Sequence, residues 1–400
     1  MTVALAERVS LLKQAASIVA KEKVTQLRAS GKDIVDLTIG EPDLDTAPHI
    51  VEAAVAAMRR GETHYTATPG TQGLREAIDR KLERENGLDF GPDAIVVGCG
   101  AKQLIFEAFA ATLGKGDEVI IPAPYWVSYP DMVQVNGGTP VFVRGDQAAG
   151  FKLRAADLAA AITPRTKWLV LNTPNNPSGA VYSRAEMQEL VAVLRPHRHV
   201  GILVDEIYEH LVYDGQTSLN PLQVCPELGD RTLIVNGLSK SYAMTGWRIG
   251  YAAGPKPLVA AITKLIGQST TCPSSISQAA AIAALDGDQT TVREAAAIYG
   301  RRRDRMLELL QNTPGLRAGK PGGAFYLFPS VEGLIGRQTP SGQMISSDLD
   351  VAMHFLDHGV AVLDGAPYGV SPYLRLSFAT SIDQIEEGCA RIVRACTALS

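Results

Sequence analysis

Cysteine, surplus positive charge and long apolar runs are all scarce in this 400-residue sequence, and each scarcity removes a class of protein. The five cysteines, Cys99, Cys225, Cys272, Cys389 and Cys396, are scattered, odd in number and never spaced as a CxxC pair. That argues against a disulfide framework or a zinc site and fits a reducing cytoplasm. With a formal net charge of −4 the chain lacks the clustered basic surface that nucleic acid or an anionic membrane requires. No apolar run approaches the roughly 20 residues of a membrane span. The first twenty residues mix Glu7, Arg8 and Lys13 among apolar ones, without a small-residue cleavage site, so no signal peptide is expected. What is left is an ordinary globular composition, 46% hydrophobic, in a chain too long for a single core.

Internal repeats and low-complexity tracts are also absent, and the organisation is read from periodicity. Val51, Ala54, Val55 and Met58 recur at helical spacing. From about residue 95, short apolar runs alternate with helical stretches: Ala94–Gly98, Glu118–Pro122, Lys167–Asn172, Val200–Asp205 and Thr232–Asn236 read as strands, with Trp247–Ala253 a further one. Lys102–Leu113 and Arg184–Leu194 read as helices between them. Near-continuous apolar strands separated by helices imply an α/β fold with a mostly parallel sheet covered on both faces. A large domain over 46–290 is expected. A smaller α/β domain would combine 291–400 with the N-terminal 1–45, which is too short to fold alone. The smaller unit is predicted to hold helices around Arg301–Gln311 and Asp348–His358, strands at Ala324–Phe328, Val360–Leu363 and Leu374–Phe378, and a final helix that buries Cys389 and Cys396.

Ligands of open parallel sheets bind beyond the carboxyl ends of the strands, and the most conspicuous polar residues fall there. Gly98-Cys99-Gly100-Ala101-Lys102 follows the first strand and opens a helix. Asn172–Gly179 follows the third, Asp205 closes the fourth with Tyr208 three residues on, and Asn236-Gly237-Leu238-Ser239-Lys240 follows the fifth, with Arg248 beyond it. Singly these have plain structural explanations: a tight turn, a Pro/Asn loop, a helix cap, a solvated lysine, a core Trp126. Four such features at one sheet edge form a constellation that those explanations do not cover.

The run from Ser239 to Tyr251, with Lys240 and Arg248, resembles the lysine signature of class I/II pyridoxal-phosphate aminotransferases of fold type I. Pro124-Tyr125-Trp126, Asn172–Gly179, Asp205–Tyr208 and Arg375–Phe378 occur in that family's order, so the resemblance covers the chain from about Lys13 to its end. It is greatest to bacterial aspartate and aspartate/prephenate aminotransferases of subgroup Iβ. The resemblance implies that Lys240 carries the cofactor and moves the Cα proton, and that Asp205 pairs with the pyridine nitrogen. It implies that Asn176 and Tyr208 bind the phenolic oxygen and that Trp126 stacks on the ring. Gly100, Ala101, Lys102 and Arg248 would hold the phosphate, joined by Tyr65 of a neighbouring subunit in a homodimer. Arg375, with Asn176 and the backbone near Gly40, would clamp the substrate α-carboxylate, and Lys13 and Lys102 would face a second carboxylate.

Two departures from the family pattern stand out: Gly237 where relatives carry a phosphate-binding serine, and Asp364-Gly365-Ala366-Pro367-Tyr368 near the expected substrate end. The second leaves room for a bulkier or aromatic substrate. The expected activity is transfer of the amino group between L-aspartate or another dicarboxylic amino acid and 2-oxoglutarate, with prephenate as a further acceptor. The alternatives are an aromatic or broad-specificity aminotransferase, a carbon–sulfur β-lyase or cyclopropane-forming synthase on the same scaffold, and a catalytically silent ligand-binding relative. Intact Lys240, Asp205 and Arg248 argue against the last.

Overall fold

The computed structural model describes residues 3–12 and 16–400, and within helix Ala16–Ala29 the side chains of Glu22 and of Val24 onward. Lys13 therefore lies outside the described residues. In chain order the strands are β1 (Val35–Asp36), β2 (Ile95–Gly98), β3 (Glu118–Ala123), β4 (Thr139–Arg144), β5 (Thr166–Asn172), β6 (Gly201–Asp205), β7 (Thr232–Gly237) and β8 (Gly250–Ala253), followed by β9 (Tyr326–Leu327), β10 (Val360–Ala361), β11 (Leu363–Asp364) and β12 (Leu374–Ser377).

Seven of them form one sheet in the order β2-β8-β7-β6-β5-β3-β4. Its central strands are runs of Val, Ile and Leu buried on both faces, which is how a parallel strand under two helical layers should read. All neighbours pair in parallel except β8, which runs antiparallel to both β2 and β7. The cause is the connection. Residues 238–249 contain no helix to carry the chain back across the sheet, so β8 returns against β7 instead of crossing over. This return stacks the loop holding Lys240 on the same edge as the ends of β2, β5 and β6.

That edge is drawn tight by glycine. Gly98 and Gly237 both pair with Gly250, on either side of it. A Cβ on Gly250 would lie 2.4 Å from the Ala101 nitrogen and 2.6 Å from the Gly100 carbonyl carbon. The start of helix Ala101–Thr112 is thereby seated directly on the sheet edge.

The remaining strands build a second layer. β1 pairs in parallel with β10, and β11, β12 and β9 make an antiparallel sheet. Val35 and Leu37 join a core with Val360, Leu376, Ile385, Cys389 and Ile392, so the N-terminal segment packs on the C-terminal part of the chain. Cys389 and Cys396 are buried on helix Ile382–Thr397, and all five cysteines are free thiols. Among the described residues no helix is long and apolar enough to cross a membrane.

One expectation needs correction, and one strand was not foreseen. The helix placed at Arg301–Gln311 starts earlier and runs Thr290–Leu310, because Val292, Ala295 and Tyr299 continue its buried stripe upstream of the basic run. Arg303 within that run is buried. It is 1% exposed and paired through both terminal nitrogens with Asp214 at 2.8 Å. The edge strand β4 was missing from the sequence reading. It contains Pro140 and is only partly buried, so it lacks the continuous apolar signal of its neighbours.

Gly250→Ala tests the seating of the helix. Its methyl group meets backbone that cannot yield cheaply, so urea unfolding is expected to show a loss of roughly 1–3 kcal/mol. An unchanged midpoint would show that the helix start is not held against β8.

Candidate active site

The ends of β2, β5, β6 and β7 converge on one cavity of about 870 Å³, closed from the far side by Arg375 of β12 and by Gly40 and Glu41. Helix Ala16–Ala29 contributes Glu22, Thr25 and Gln26 to its wall. Of the residues singled out from the sequence, Ala101, Lys102, Trp126, Asn176 and Asp205 line it, as do Tyr208, Lys240, Arg248, Arg375 and Gly40. The buried Gly100 adjoins them as the residue that precedes the helix.

Lys240 and Asp205 hold its centre. The Lys240 ammonium donates to the Gly40 carbonyl at 2.5 Å. Withdrawal from water in the cleft lowers its pKa to about 8, with Arg375 and Arg248 adding to the effect against Glu41. An amine of that pKa is partly neutral at physiological pH, which a base or nucleophile must be. Asp205 is 4% exposed. Burial pushes its carboxyl above the ordinary range, opposed by a hydrogen bond from the Tyr129 hydroxyl, by the Ile207 N–H and by Lys240.

At one end the site is built for an anion. The helix Ala101–Thr112 presents its free N–H groups there. Gly100 is left-handed at φ 93°, and a Cβ on it would strike the Arg248 guanidinium at 2.4 Å. Arg248 is itself left-handed at φ 56°, a costly conformation for a non-glycine residue, and is tied to the Thr245 and Cys99 carbonyls. Backbone strain thus holds an exposed guanidinium beside a helix start.

The other end is cationic and buried. Arg375, 3% exposed, donates to the Thr38 carbonyl at 2.8 Å and to Asn176 Oδ1 at 3.3 Å, and its Nε has no partner among the described residues. Its guanidinium lies over the Tyr326 and Tyr368 rings, 4.3 and 5.4 Å from their centroids. Tyr208 shares a 2.9 Å hydrogen bond with the Tyr326 hydroxyl. Near the mouth, the Lys102 ammonium sits 4.8 Å from the Trp126 ring and 3.3 Å from Ser128 Oγ.

Some expectations fall elsewhere. Tyr65 does not join the cavity of its own chain and is 87% exposed. None of Asp364–Tyr368 lines the cavity. The Tyr368 ring meets Arg375, and the neighbouring Gly369 lies close against the Tyr125 ring. That segment therefore does not enlarge the substrate pocket directly. Tyr129, Tyr326 and Glu41 were missed. Tyr129 carried a faint signal, since it lies three residues after Trp126, and Glu41 stood in the turn beside Gly40. Tyr326 read only as a strand residue.

A buried carboxylate, a lysine of lowered pKa, an indole and an anion cradle that any Cβ at Gly100 would fill match the parts of pyridoxal 5'-phosphate. Asp205 would meet its ring nitrogen, Lys240 its aldehyde, Trp126 its ring face, and the helix start with Arg248 its phosphate. Together with the sheet order, this defines a pyridoxal-phosphate-dependent transferase of fold type I.

Residues 32–392 match the family described as aminotransferase class I and II. A probable aspartate/prephenate aminotransferase of Rhizobium leguminosarum bv. phaseoli is 49% identical over 98% of this chain and 99% of its own. An aspartate/prephenate aminotransferase of Cereibacter sphaeroides is 47% identical over 99% of both. The crystal structure of the Rhizobium meliloti aspartate aminotransferase superposes with a TM-score of 0.97 at 47% identity over the whole of both chains. That of the Thermus thermophilus enzyme with maleate gives 0.92 at 41% identity, covering 98% of this chain and all of that one. The chain belongs to the class I and II aminotransferase family and is a pyridoxal-phosphate-dependent enzyme.

In cofactor-free protein, acetylation of Lys240 followed by mass spectrometry should be half-maximal at pH about 8, whereas an ordinary lysine gives about 10.4. Glu41→Gln removes an opposing charge and should lower the midpoint. A midpoint in the ordinary lysine range would contradict the described environment.

Proposed function

We propose that the protein transfers the amino group of L-aspartate, or another dicarboxylic amino acid, to 2-oxoglutarate in two ping-pong half-reactions. The observation that carries this reading is Arg375. It is a buried guanidinium on the cavity wall with no carboxylate partner among the described residues and with an unpaired Nε. A buried cation left without an anion is costly, and a planar fork suits a carboxylate. Substrate binding would supply that anion, and the contacts to Thr38 and Asn176 hold the fork in place before it arrives.

Pyridoxal phosphate, when bound, supplies the electron sink that makes the Cα–H bond of an amino acid acidic. The chain's own residues do the rest. Lys240, partly neutral at its lowered pKa, takes the Cα proton and returns it. Asp205 holds a proton at the ring nitrogen. The Asn176 amide, its oxygen fixed by Arg375, is left with its NH2 as donor, and Tyr208 is oriented by Tyr326. Trp126 would cover the ring face.

Support for a dicarboxylic substrate comes from Lys102 at the cavity mouth and from relatives named for aspartate and prephenate, one of them solved with maleate, a dicarboxylate. Lys13 is proposed as the second cation. We place the division of the chain at 46–290 for the cofactor-binding unit, with 1–45 and 291–400 forming the other. The active unit is proposed to be a homodimer. Exposed Tyr65 would reach the neighbouring phosphate, and exposed Val3, Leu5 and Met58 offer apolar area for a partner to cover.

Incubating the loaded protein with L-aspartate alone should yield one equivalent of oxaloacetate per site and then stop. Continuous release of pyruvate and ammonia would show a lyase instead. Arg375→Ala should lower kcat/KM for aspartate by about a hundredfold or more, and Lys102→Ala and Lys13→Ala should erode the preference for dicarboxylic over aromatic substrates. Prephenate is tested as acceptor in the same assay. Retention of full aspartate activity by Arg375→Ala would rule out the carboxylate clamp.

A further inference from the structure

Asp205 is held by a residue that lies outside the cavity lining. Tyr129 lies on helix Ser128–Val135, just past the turn that carries Trp126, and is 1% exposed. Its hydroxyl donates to Asp205 Oδ2 at 2.6 Å, while the Ile207 N–H reaches Oδ1 at 3.2 Å. Its ring meets Trp126 edge-on, with centroids 5.2 Å apart and planes at 85°. A single side chain therefore braces both the carboxylate and the aromatic platform of the site.

We propose that Tyr129 is a positioning residue that sets the proton affinity of Asp205, and through it the proton held at the cofactor ring nitrogen. The inference rests on the reading that Asp205 pairs with that nitrogen. The physical argument is one of sign. A buried carboxylate alone becomes a strong base and would draw the shared proton onto itself, leaving the ring neutral. A cationic partner would remove its charge and weaken its pull on the ring. A neutral hydroxyl does neither: it stabilises the anion by a short hydrogen bond and leaves the negative charge facing the cavity. Burial and the neighbouring Asp205 push the Tyr129 phenol well above its ordinary pKa, so it stays a donor.

The other groups around Asp205 do not substitute for it. Lys240, from the loop between β7 and β8, acts through its charge across the cavity. Tyr208 shares its hydroxyl with Tyr326, and the neighbouring carboxyl of Glu206 accepts from Asn220 and opposes the Asp205 charge. Tyr129 is the only side chain among the described residues that donates a hydrogen bond to Asp205.

The test is a pH titration of the visible absorbance of the lysine-bound cofactor in the holoenzyme, in wild type, Tyr129→Phe, Tyr129→His and Asp205→Asn. Phenylalanine keeps the edge contact with Trp126 and removes only the hydroxyl. Without that donor Asp205 becomes more basic, the ring loses positive character, and the nitrogen bound to Lys240 keeps its proton to higher pH. The Tyr129→Phe midpoint should therefore rise by about half a unit or more, with kcat down about tenfold. Histidine, which restores an N–H donor, should bring the midpoint back toward wild type. An unmoved midpoint in Tyr129→Phe, whether or not its thermal stability falls, overturns the proposal. If Tyr129→Phe does not fold, a Tyr129→His midpoint displaced further from wild type than that of Asp205→Asn overturns it equally. Asp205→Asn separates the two levels: if it too leaves the midpoint unmoved, the pairing of Asp205 with the ring is itself wrong.

Discussion

The way β8 enters the sheet decides everything at the cleft. It inserts antiparallel between β2 and β7, so the chain leaving β7 must fold over the sheet edge instead of departing through a helix. That excursion carries Lys240 and ends at Arg248, whose left-handed backbone turns it toward the start of helix Ala101–Thr112. Gly98, Gly237 and Gly250 remove the side chains that would otherwise keep helix, loop and strand apart. Lys240, Arg248 with the start of helix Ala101–Thr112, and the buried Asp205 are thus held by backbone packing, the least deformable part of the molecule.

On this rigid edge the electrostatics are divided by position. Asp205 is the buried anion at the bottom, Lys240 stands across the cavity from it, and Arg248 and Arg375 mark the two ends. Each charge is only partly compensated within the chain. Among the described residues Asp205 has neutral donors and no salt bridge, and Arg375 has carbonyl and amide oxygens in place of a carboxylate. Contrast the surface-facing Arg302, paired through both terminal nitrogens with Asp43, or Arg303 with Asp214. Arg302 and Arg303 are thus matched by carboxylates, whereas Arg248 and Arg375 at the cleft meet only carbonyl and amide oxygens among the described residues.

Much of this was legible in the sequence because it is local. The apolar runs of β2, β3, β5, β6 and β7 announce buried strands, and their polar C-terminal residues announce the edge on which ligands bind. The run flanking Lys240, with the four other stretches in the family's order, carries the resemblance to the family. What the sequence hid is non-local or lacks a chemical label. Tyr129 shows only its nearness to Trp126 in the chain until Asp205, 76 residues away, is seen to accept its hydroxyl. Tyr326 acquires a role only by meeting Tyr208 from 118 residues away and lying under Arg375. The segment Asp364–Tyr368 departs from the family pattern near the expected substrate end, but it does not line the cavity, and its Tyr368 ring meets Arg375 instead.

The central claim is that Lys240, of all the lysines, is placed to bond the cofactor. Borohydride reduction of the loaded protein, followed by peptide mapping, tests it without relying on turnover. The account predicts the cofactor-derived mass on the peptide containing Lys240, at about one per chain, and on no other lysine. Stable incorporation at Lys102, or spread over several lysines, would contradict it.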